Sequence, residues 1–294
     1  MSFLASHRNL IGVLLCGLLF SSGFFIHGNA GLYVNLAGLI IVLSGTAGAT
    51  LISYRLERLV IVYRVLLTSY RTQPRQPDEL IEILVDLSVK SRFEGIVSLQ
   101  HDEEETSILF LRQALGLLVD GFHGQQIREM LNAEMYFFRM RREDCERVLR
   151  SIADYFPSFG MAGSVVGLIG MLAGVGDTTV ILAMVPIALT STLYGIILSN
   201  FLFLPFAAHL RERTDHELLV QKIILEGVVA IEGEVNPRVL ERKLKAFLTP
   251  AARSRQMLTM RKIRERFHKR AMAQGGTPAQ PVSPETTSPE GPPP

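Results

Sequence analysis

The stretch that decides the fold covers residues 157–205 and reads PSFGMAGSVVGLIGMLAGVGDTTVILAMVPIALTSTLYGIILSNFLFLP. Asp177, near its middle, is its only carboxylate. The apolar run on each side has roughly 20 or more residues, which is enough to cross a bilayer as a helix. Gly176-Asp177-Thr178-Thr179 has the composition of a turn. The sequence therefore predicts a transmembrane hairpin.

A glycine stripe marks the first arm of this hairpin. Small residues let helix backbones approach each other closely in lipid, so a stripe of them indicates a packing face. Spacings of three, four, three and four residues place the five glycines on one face of a helix: Gly160, Gly163, Gly167, Gly170 and Gly174. We expect this face to meet another helix.

Two hydroxyl side chains stand beside the predicted packing faces. Ser164 lies at the edge of the glycine stripe, and on the second arm Thr192 shares a face with Gly195 and Ser199. The two arms could therefore present Ser164 and Thr192 to a common groove, as in a polar pathway through the membrane. Hydroxyls in membrane helices also bond to their own backbone, so a purely structural role stays open.

Composition supports a membrane protein with a separate polar part. The chain has 294 residues, of which 48% are hydrophobic, and a mean hydropathy of +0.27. Its charges are segregated from its apolar runs, which is typical of membrane spans joined to a polar domain. The net charge of +2 is too small to indicate nucleic-acid binding. Cys16 and Cys145 lie in different kinds of segment, so we expect no structural disulfide.

Two further apolar runs, 9–26 and 32–53, predict a first and a second span. A signal peptide is the alternative for the first run, but the run is long and the cleavage site that follows it is poor. The turns 27–33 and 176–179 lack Lys and Arg, whereas the N-terminus, residues 55–156 and the C-terminal tail carry nearly all of them. The positive-inside rule places these basic parts in the cytoplasm. We predict an all-α polytopic protein with four transmembrane helices, a helical cytoplasmic domain and both termini cytoplasmic.

The predicted organisation has five parts. They are transmembrane helices 1 and 2 in 1–54, a cytoplasmic helical domain in 55–156, transmembrane helices 3 and 4 in 157–208, cytoplasmic helices in 209–273 and a disordered tail in 274–294. In the polar parts we predict helices over 78–99, 108–119, 125–155, 211–231 and 237–247, and the first of them begins with an apolar stripe at Leu80, Ile81, Leu84 and Leu87. The acidic run 102–105 is expected to be solvated or to cap the helix that follows it.

Motifs for catalysis and for metal binding are missing from the sequence. It contains neither a P-loop, nor an HExxH pattern, nor a Ser-His-Asp or Cys-His arrangement. The glycines of 160–174 have the wrong spacing for a dinucleotide fingerprint, and no strand precedes them. We therefore expect no enzymatic activity, no cofactor and no metal site.

Three motifs, in this order and spacing, resemble the MotA/TolQ/ExbB proton channel superfamily. Pro157-Ser158-Phe159-Gly160-Met161 is similar to P-[AS]-[FI]-G-[IM], which opens the third helix of the family. Thr192-Leu193-Tyr194-Gly195-Ile196, followed by Pro205, is similar to the T-x-x-G-[IV]…P pattern of the fourth helix. Lys90-Ser91-Arg92, with Gly95 and Leu99, resembles the cytoplasmic (K/A)-x-R-x-x-G-x-x-x-L-E stretch that carries torque charges.

Within that superfamily, the four predicted spans resemble MotA and PomA, the flagellar stator subunits, since TolQ and ExbB typically have three spans. The resemblance covers about residues 1–250. It implies five copies of the chain around two copies of a single-span MotB-like partner in the bacterial inner membrane. The partner's transmembrane Asp would carry H⁺ or Na⁺, and the pentamer would turn a rotor protein of the FliG type. One charge crossing 100 mV supplies about 2.3 kcal/mol.

The resemblance also implies roles for individual residues. Ser164 and Thr192 would line the ion pathway, and the five glycines would receive the partner's helix. Pro157 and Pro205 would free backbone carbonyls near the cytoplasmic ends of the spans, where a conformational change could pass to the cytoplasmic loop. Sodium-driven relatives tend to have a hydroxyl where this chain has Ser164, and proton-driven relatives tend to have Ala, so sodium is favoured.

The cytoplasmic motif implies a rotor contact formed by Arg92, Glu94 and Gln100. Gln100 departs from the family pattern, which has Glu at this position. Either the acidic run 102–105 replaces that Glu, or the chain drives something other than a flagellar rotor. A TolQ/ExbB-like energiser of outer-membrane transport, another ion-driven motor and a passive membrane scaffold are the alternative functions.

Overall fold

The structure is a computed structural model that describes residues 33–72 and 75–248, together with Ser22. Apart from Ser22, the predicted first span, 9–26, lies outside the described residues, and so does the predicted tail, 274–294. Regular structure in the described ranges is helical throughout, which confirms the all-α class. The helices are α1 (Leu36–Ser53), α2 (Leu56–Arg71), α3 (Pro77–Glu94), α4 (Gln100–Glu105), α5 (Leu109–Val119), α6 (Gly124–Ala173), α7 (Thr178–Ile197), α8 (Leu204–Glu232) and α9 (Pro237–Lys245).

Three helical stretches in the described residues are long and apolar enough to cross a membrane. They are α1, α6 and the run that begins with α7 and continues into α8. A polytopic membrane protein is therefore confirmed. The count of four spans stays a prediction, because its first member is outside the described ranges.

The predicted hairpin is formed by α6 and α7. Gly176 has φ +107°, a conformation that glycine adopts without a steric penalty, and it turns the chain between the two helices. Asp177 then caps α7 by accepting a hydrogen bond from the Thr179 amide at 2.9 Å. The cap satisfies one of the free amides at the start of the helix.

Both arms of the hairpin continue without a break into the polar part of the chain. The predicted helix 125–155 is the first part of α6, a single 50-residue helix that runs through Pro157. At 1.5 Å per residue it is about 75 Å long. The predicted helix 211–231 likewise belongs to α8, which starts at Leu204 and follows α7 through a π-helical segment, Leu198–Phe203. Movement of the membrane part can therefore be transmitted along these continuous helices to the polar part.

The main hydrophobic core lies at the polar ends of these long helices. It joins α3, α5 and α9 to the first turns of α6 and the last turns of α8, with Leu84, Leu115, Ile127 and Leu240 fully buried. A Cβ atom on Gly227 would lie 2.7 Å from Leu84 Cδ1, so glycine allows α3 to approach α8 closely. The core consequently fixes α3 to the extension of the hairpin.

One helix prediction in this region was wrong. We expected residues 90–99 to continue the helix of 78–89, but α3 ends at Glu94 and a 3₁₀ turn, Ile96–Leu99, follows. Gly95 has φ +84°, which a helix cannot contain, and its amide still closes the last turn of α3. The predicted helix 108–119 is present as α5, and its apolar side is buried.

Candidate functional site

The glycine stripe of α6 packs against α7 of the same chain. A Cβ atom on Gly167 would lie 2.7 Å from the amide nitrogen of Ala188, and one on Gly163 would lie 2.6 Å from Ser191 Cβ. Gly160, Gly170 and Gly174 also face α7 residues. Within this chain, α7 therefore occupies the face that the resemblance assigns to the partner's helix. The close contact that small residues permit in a membrane is made within the hairpin.

This close approach brings Ser164 and Thr192 together. Their hydroxyl oxygens lie within hydrogen-bonding distance of each other, across the interface of α6 and α7. Ser164 Oγ also lies 2.6 Å from the carbonyl oxygen of Ala188, and Thr192 Oγ1 lies 3.4 Å from that of Gly160. Both side chains are half-buried.

The arrangement around Ser164 and Thr192 concentrates oxygen atoms in an apolar setting. Two hydroxyls and two carbonyls, those of Gly160 and Ala188, lie within one hydrogen-bond network. Oxygen atoms of this kind can replace the water molecules around a small cation. They also offer hydrogen-bond partners to a chain of water molecules that conducts a proton. The geometry suits an ion pathway and does not by itself select the ion.

Pro157 lies within α6 and does not interrupt it. Proline removes one backbone amide from a helix, so the carbonyl four residues earlier loses its usual donor. Beside this point α7 comes very close, because a Cβ atom on Gly195 would lie 2.5 Å from the carbonyl oxygen of Phe156. Glycine at 195 thus permits backbone contact next to the proline.

Pro205 lies in the first turn of α8, directly after the π-helical segment. A proline within a helix cannot donate to the carbonyl four residues before it, and its ring clashes with that carbonyl. Widening of the helix relieves this clash, and such π segments are frequent at functional sites. Within the segment, the side-chain amide nitrogen of Asn200 donates to the Ile196 carbonyl oxygen at 3.0 Å. Asn200 thereby satisfies a carbonyl in the widened turn.

Tyr194 is a site residue that the sequence analysis did not single out for a role. Its hydroxyl donates to the carbonyl oxygen of Tyr33 at 2.5 Å and accepts from the amide of Asn35 at 2.7 Å. These two bonds fix the start of α1 against α7, two residues from Thr192. The sequence feature that could have indicated this role is a phenol within an apolar run, since buried Tyr hydroxyls usually find a hydrogen-bond partner.

The residues predicted to meet the rotor lie around the end of α3. Arg92 and Glu94 are exposed in its last turn, and Gln100 is exposed at the start of α4. Arg92 donates to the backbone carbonyl of Glu234 at 3.2 Å, which ties it to the turn after α8. The structure thus brings Arg92 and the end of α8 together.

The acidic run 102–105 belongs to α4. The expectation that the run is solvated or caps the next helix stays a prediction. Asp102 accepts a hydrogen bond from Lys90 at 2.6 Å, so its charge is already paired.

A buried carboxylate holds three helices of the polar part together. Glu226 in α8 pairs with Arg128 of α6 at 2.6 Å and with Lys243 of α9 at 2.7 Å. These hydrogen bonds and charges lower the pKa of Glu226 from 4.5 to about 2, with Arg128 as the largest cause. Glu226 therefore stays ionised at neutral pH.

Across the described part of the chain, no group of His, Cys, Asp and Glu could hold a metal ion.

Comparison with known proteins identifies the family. The family model described as the MotA/TolQ/ExbB proton channel family matches residues 102–222. Motility protein A of Borreliella burgdorferi is 33% identical over 76% of this chain and 86% of its own length. The chain belongs to the motility protein A branch of this family.

Other matches agree with this motility protein A assignment. Chemotaxis protein PomA of Vibrio alginolyticus is 31% identical over 77% of this chain and 89% of its own length. A chain in the structure of the flagellar MotAB stator complex from Bacillus subtilis superposes with a TM-score of 0.78 at 26% identity. That match covers 84% of this chain and 98% of the other, so the likeness extends over the hairpin and the polar helices.

Proposed function

We propose that this motility protein A family member is a flagellar stator subunit that couples ion flow to torque. It would assemble as a pentamer around a dimer of a MotB-like single-span partner in the bacterial inner membrane, with both termini cytoplasmic. The likeness to a chain of a flagellar MotAB stator complex supports a partner of this kind. The observation that carries the proposal is the Ser164–Thr192 pair, held inside a membrane hairpin whose arms extend to the polar domain.

The ion pathway in this proposal runs past Ser164 and Thr192. The only carboxylate in α1 and in residues 157–205 is Asp177, which is exposed at the turn of the hairpin, so the titrating or sodium-binding carboxylate would come from the partner. The two hydroxyls and the carbonyls of Gly160 and Ala188 would supplement it with neutral oxygens. Sodium is the ion we favour, because it must exchange water for several oxygens, whereas a proton needs only a carboxylate and a wet path.

The glycines act indirectly in this scheme. Because they let α7 approach α6, they hold Ser164 and Thr192 at hydrogen-bonding distance. The partner's helix would contact a different face of the hairpin. The prolines would supply the mobile part: the π segment before Pro205 and the altered helix around Pro157 can change register more readily than regular α-helix.

The rotor contact would lie at the opposite end of the long helices. We propose that Arg92 and Glu94 meet a rotor protein of the FliG type. Asp102 is paired with Lys90, so it is a poor replacement for the Glu that the family pattern has where this chain has Gln100. A MotB-like partner and a stator role are favoured over a TolQ/ExbB-like energiser because the relatives named above are motility and chemotaxis proteins.

The test is to measure motor rotation while potassium replaces sodium at constant membrane potential. We expect rotation to fall in potassium, Ser164→Ala to weaken the sodium dependence, and Thr192→Ala to impair rotation with either ion. Ser44→Ala is the matched control, since the Ser44 hydroxyl is exposed and faces only its own helix. Undiminished rotation in potassium rules out sodium as the required ion. Unchanged rotation in both hydroxyl variants contradicts the pathway.

A further inference from the structure

Helix α2 presents apolar residues on two faces, and the described part of the chain buries one of them. Val62 is buried against α6 and α8, in a cluster that also contains Leu149 and Leu210, and Ser69 on the same face is buried as well. The residues of a second stripe on α2 are between 39% and 67% exposed. This exposed stripe consists of Leu56, Val60, Tyr63, Leu67 and Tyr70. A contiguous exposed apolar stripe marks a surface that contacts something else.

The position of α2 points to what covers the stripe. The helix begins three residues after Ser53, the last residue of the membrane-spanning α1. Near its start Arg58 pairs with Asp144 of α6 at 3.1 Å, and near its end the Tyr70 ring stacks on His209 of α8 at 4.1 Å. Tyr70 also meets Phe206, one residue after Pro205. Over about 18 Å of its axis, α2 thus crosses from α6 to α8 and stays near the end of the hairpin's apolar run.

The charges on α2 fit a membrane surface with negative headgroups. At 100° per residue, Arg64 and Arg71 lie along one edge of the exposed stripe. Neither has an acidic partner within 4.0 Å in the ranges that the structure describes. Arginines beside an apolar stripe place their guanidinium groups at phosphate level while the stripe enters the acyl boundary, and Tyr is favoured at the same depth.

We propose that α2 lies in the headgroup layer at the end of α1 and binds anionic phospholipid through Arg64 and Arg71. The apolar stripe sets how deeply α2 enters the membrane, and the two arginines give the preference for negatively charged lipid. Each arginine near an anionic surface favours association by about fivefold. The site is independent of the ion pathway and of the rotor contact.

The depth of the stripe can be measured with a single tryptophan, since the chain contains none. The full chain carrying Leu67→Trp is reconstituted in vesicles of phosphatidylcholine and phosphatidylglycerol with brominated acyl chains. Val239→Trp is the matched control, because Val239 is also exposed but lies on α9, at the polar end. We expect strong quenching of Leu67→Trp and little of Val239→Trp. Equal, weak quenching overturns the proposal, because protein then covers the stripe.

The lipid preference is measured with spin-labelled phosphatidylglycerol and phosphatidylcholine in the same vesicles. We expect the wild-type chain to retain phosphatidylglycerol with a selectivity of about fivefold or more, and R64E/R71E to lose it. R238E/R242E, on exposed arginines of α9, is the charge-matched control and should retain it. R64K/R71K keeps the charge and should restore most of the preference. Equal retention of both lipids by the wild-type chain overturns the proposal.

Discussion

The guanidinium of Arg92 donates a hydrogen bond to the backbone carbonyl of Glu234, 142 residues further along the chain. Glu234 follows α8, which runs back without a break to the π segment and Pro205. Arg92, which resembles a torque charge of the family, is therefore joined through α8 to the second arm of the hairpin. A force applied at Arg92 can therefore be transmitted along α8 to the π-helical segment of the hairpin.

Arg92→Glu should reduce torque strongly while assembly in the membrane is retained. The charge reversal changes the proposed rotor contact, whereas the lost hydrogen bond is exposed and contributes about 1 kcal/mol or less to stability. Rotation of tethered cells measures the torque, and the amount of chain in the membrane fraction measures assembly. Arg238→Glu, on α9, is the control for a general effect of charge. Wild-type torque in the Arg92 variant would show that Arg92 does not drive the rotor.

Gly167→Ala should destabilise the hairpin by about 1–3 kcal/mol, the usual cost of overpacking. The new Cβ atom would meet the backbone of Ala188 at 2.7–2.8 Å, and neither helix can give way without separating Ser164 from Thr192. Gly48→Ala is the matched control, because a Cβ atom there has no neighbour within 4 Å. Thermal unfolding in detergent compares the two variants. Equal melting temperatures would mean that α6 and α7 are not packed as closely as described.

Glu226→Gln should make the chain less stable at neutral pH and should reduce the loss of unfolding free energy as the pH falls. In the folded chain the pKa of Glu226 is about 2, against an ordinary value of 4.5, so the unfolded chain takes up a proton first as the pH falls. The stabilisation is complete above about pH 4.5 and is lost towards pH 2; it amounts to roughly 3 kcal/mol. Unfolding experiments across this window measure it. The control, Glu143→Gln, disrupts only the exposed pair with Arg139 and should change little.

Tyr194→Phe should loosen the start of α1 without altering the ion pathway directly. The substitution removes one donor and one acceptor, which leaves the Tyr33 carbonyl and the Asn35 amide without this partner and costs about 1–3 kcal/mol. Hydrogen exchange of the first turn of α1 should become faster. Tyr155→Phe provides the comparison, because its hydroxyl meets only the exposed Ser53 side chain. Unchanged exchange in Tyr194→Phe would show that other contacts hold α1.

Much of the hairpin could be predicted from sequence because its signals are local. Apolar run length, a Gly-Asp-Thr-Thr turn and glycines at helical spacing each follow from neighbouring residues, and the structure has the turn where it was expected. The same local logic failed at Gly95, where we expected a helix to continue and a positive φ ends it. A glycine within an otherwise regular pattern leaves both outcomes open until packing decides.

By itself, the sequence determined the helical class, the membrane hairpin and the family. Each of these depends on periodicity, composition or motif order, which a single chain displays. The tertiary structure alone decided which helix covers the glycine stripe, because a packing face does not specify its neighbour. It also decided that Tyr194 anchors α1 and that Arg92 reaches Glu234. Those contacts join residues more than 140 positions apart, and only the folded chain brings them within hydrogen-bonding distance.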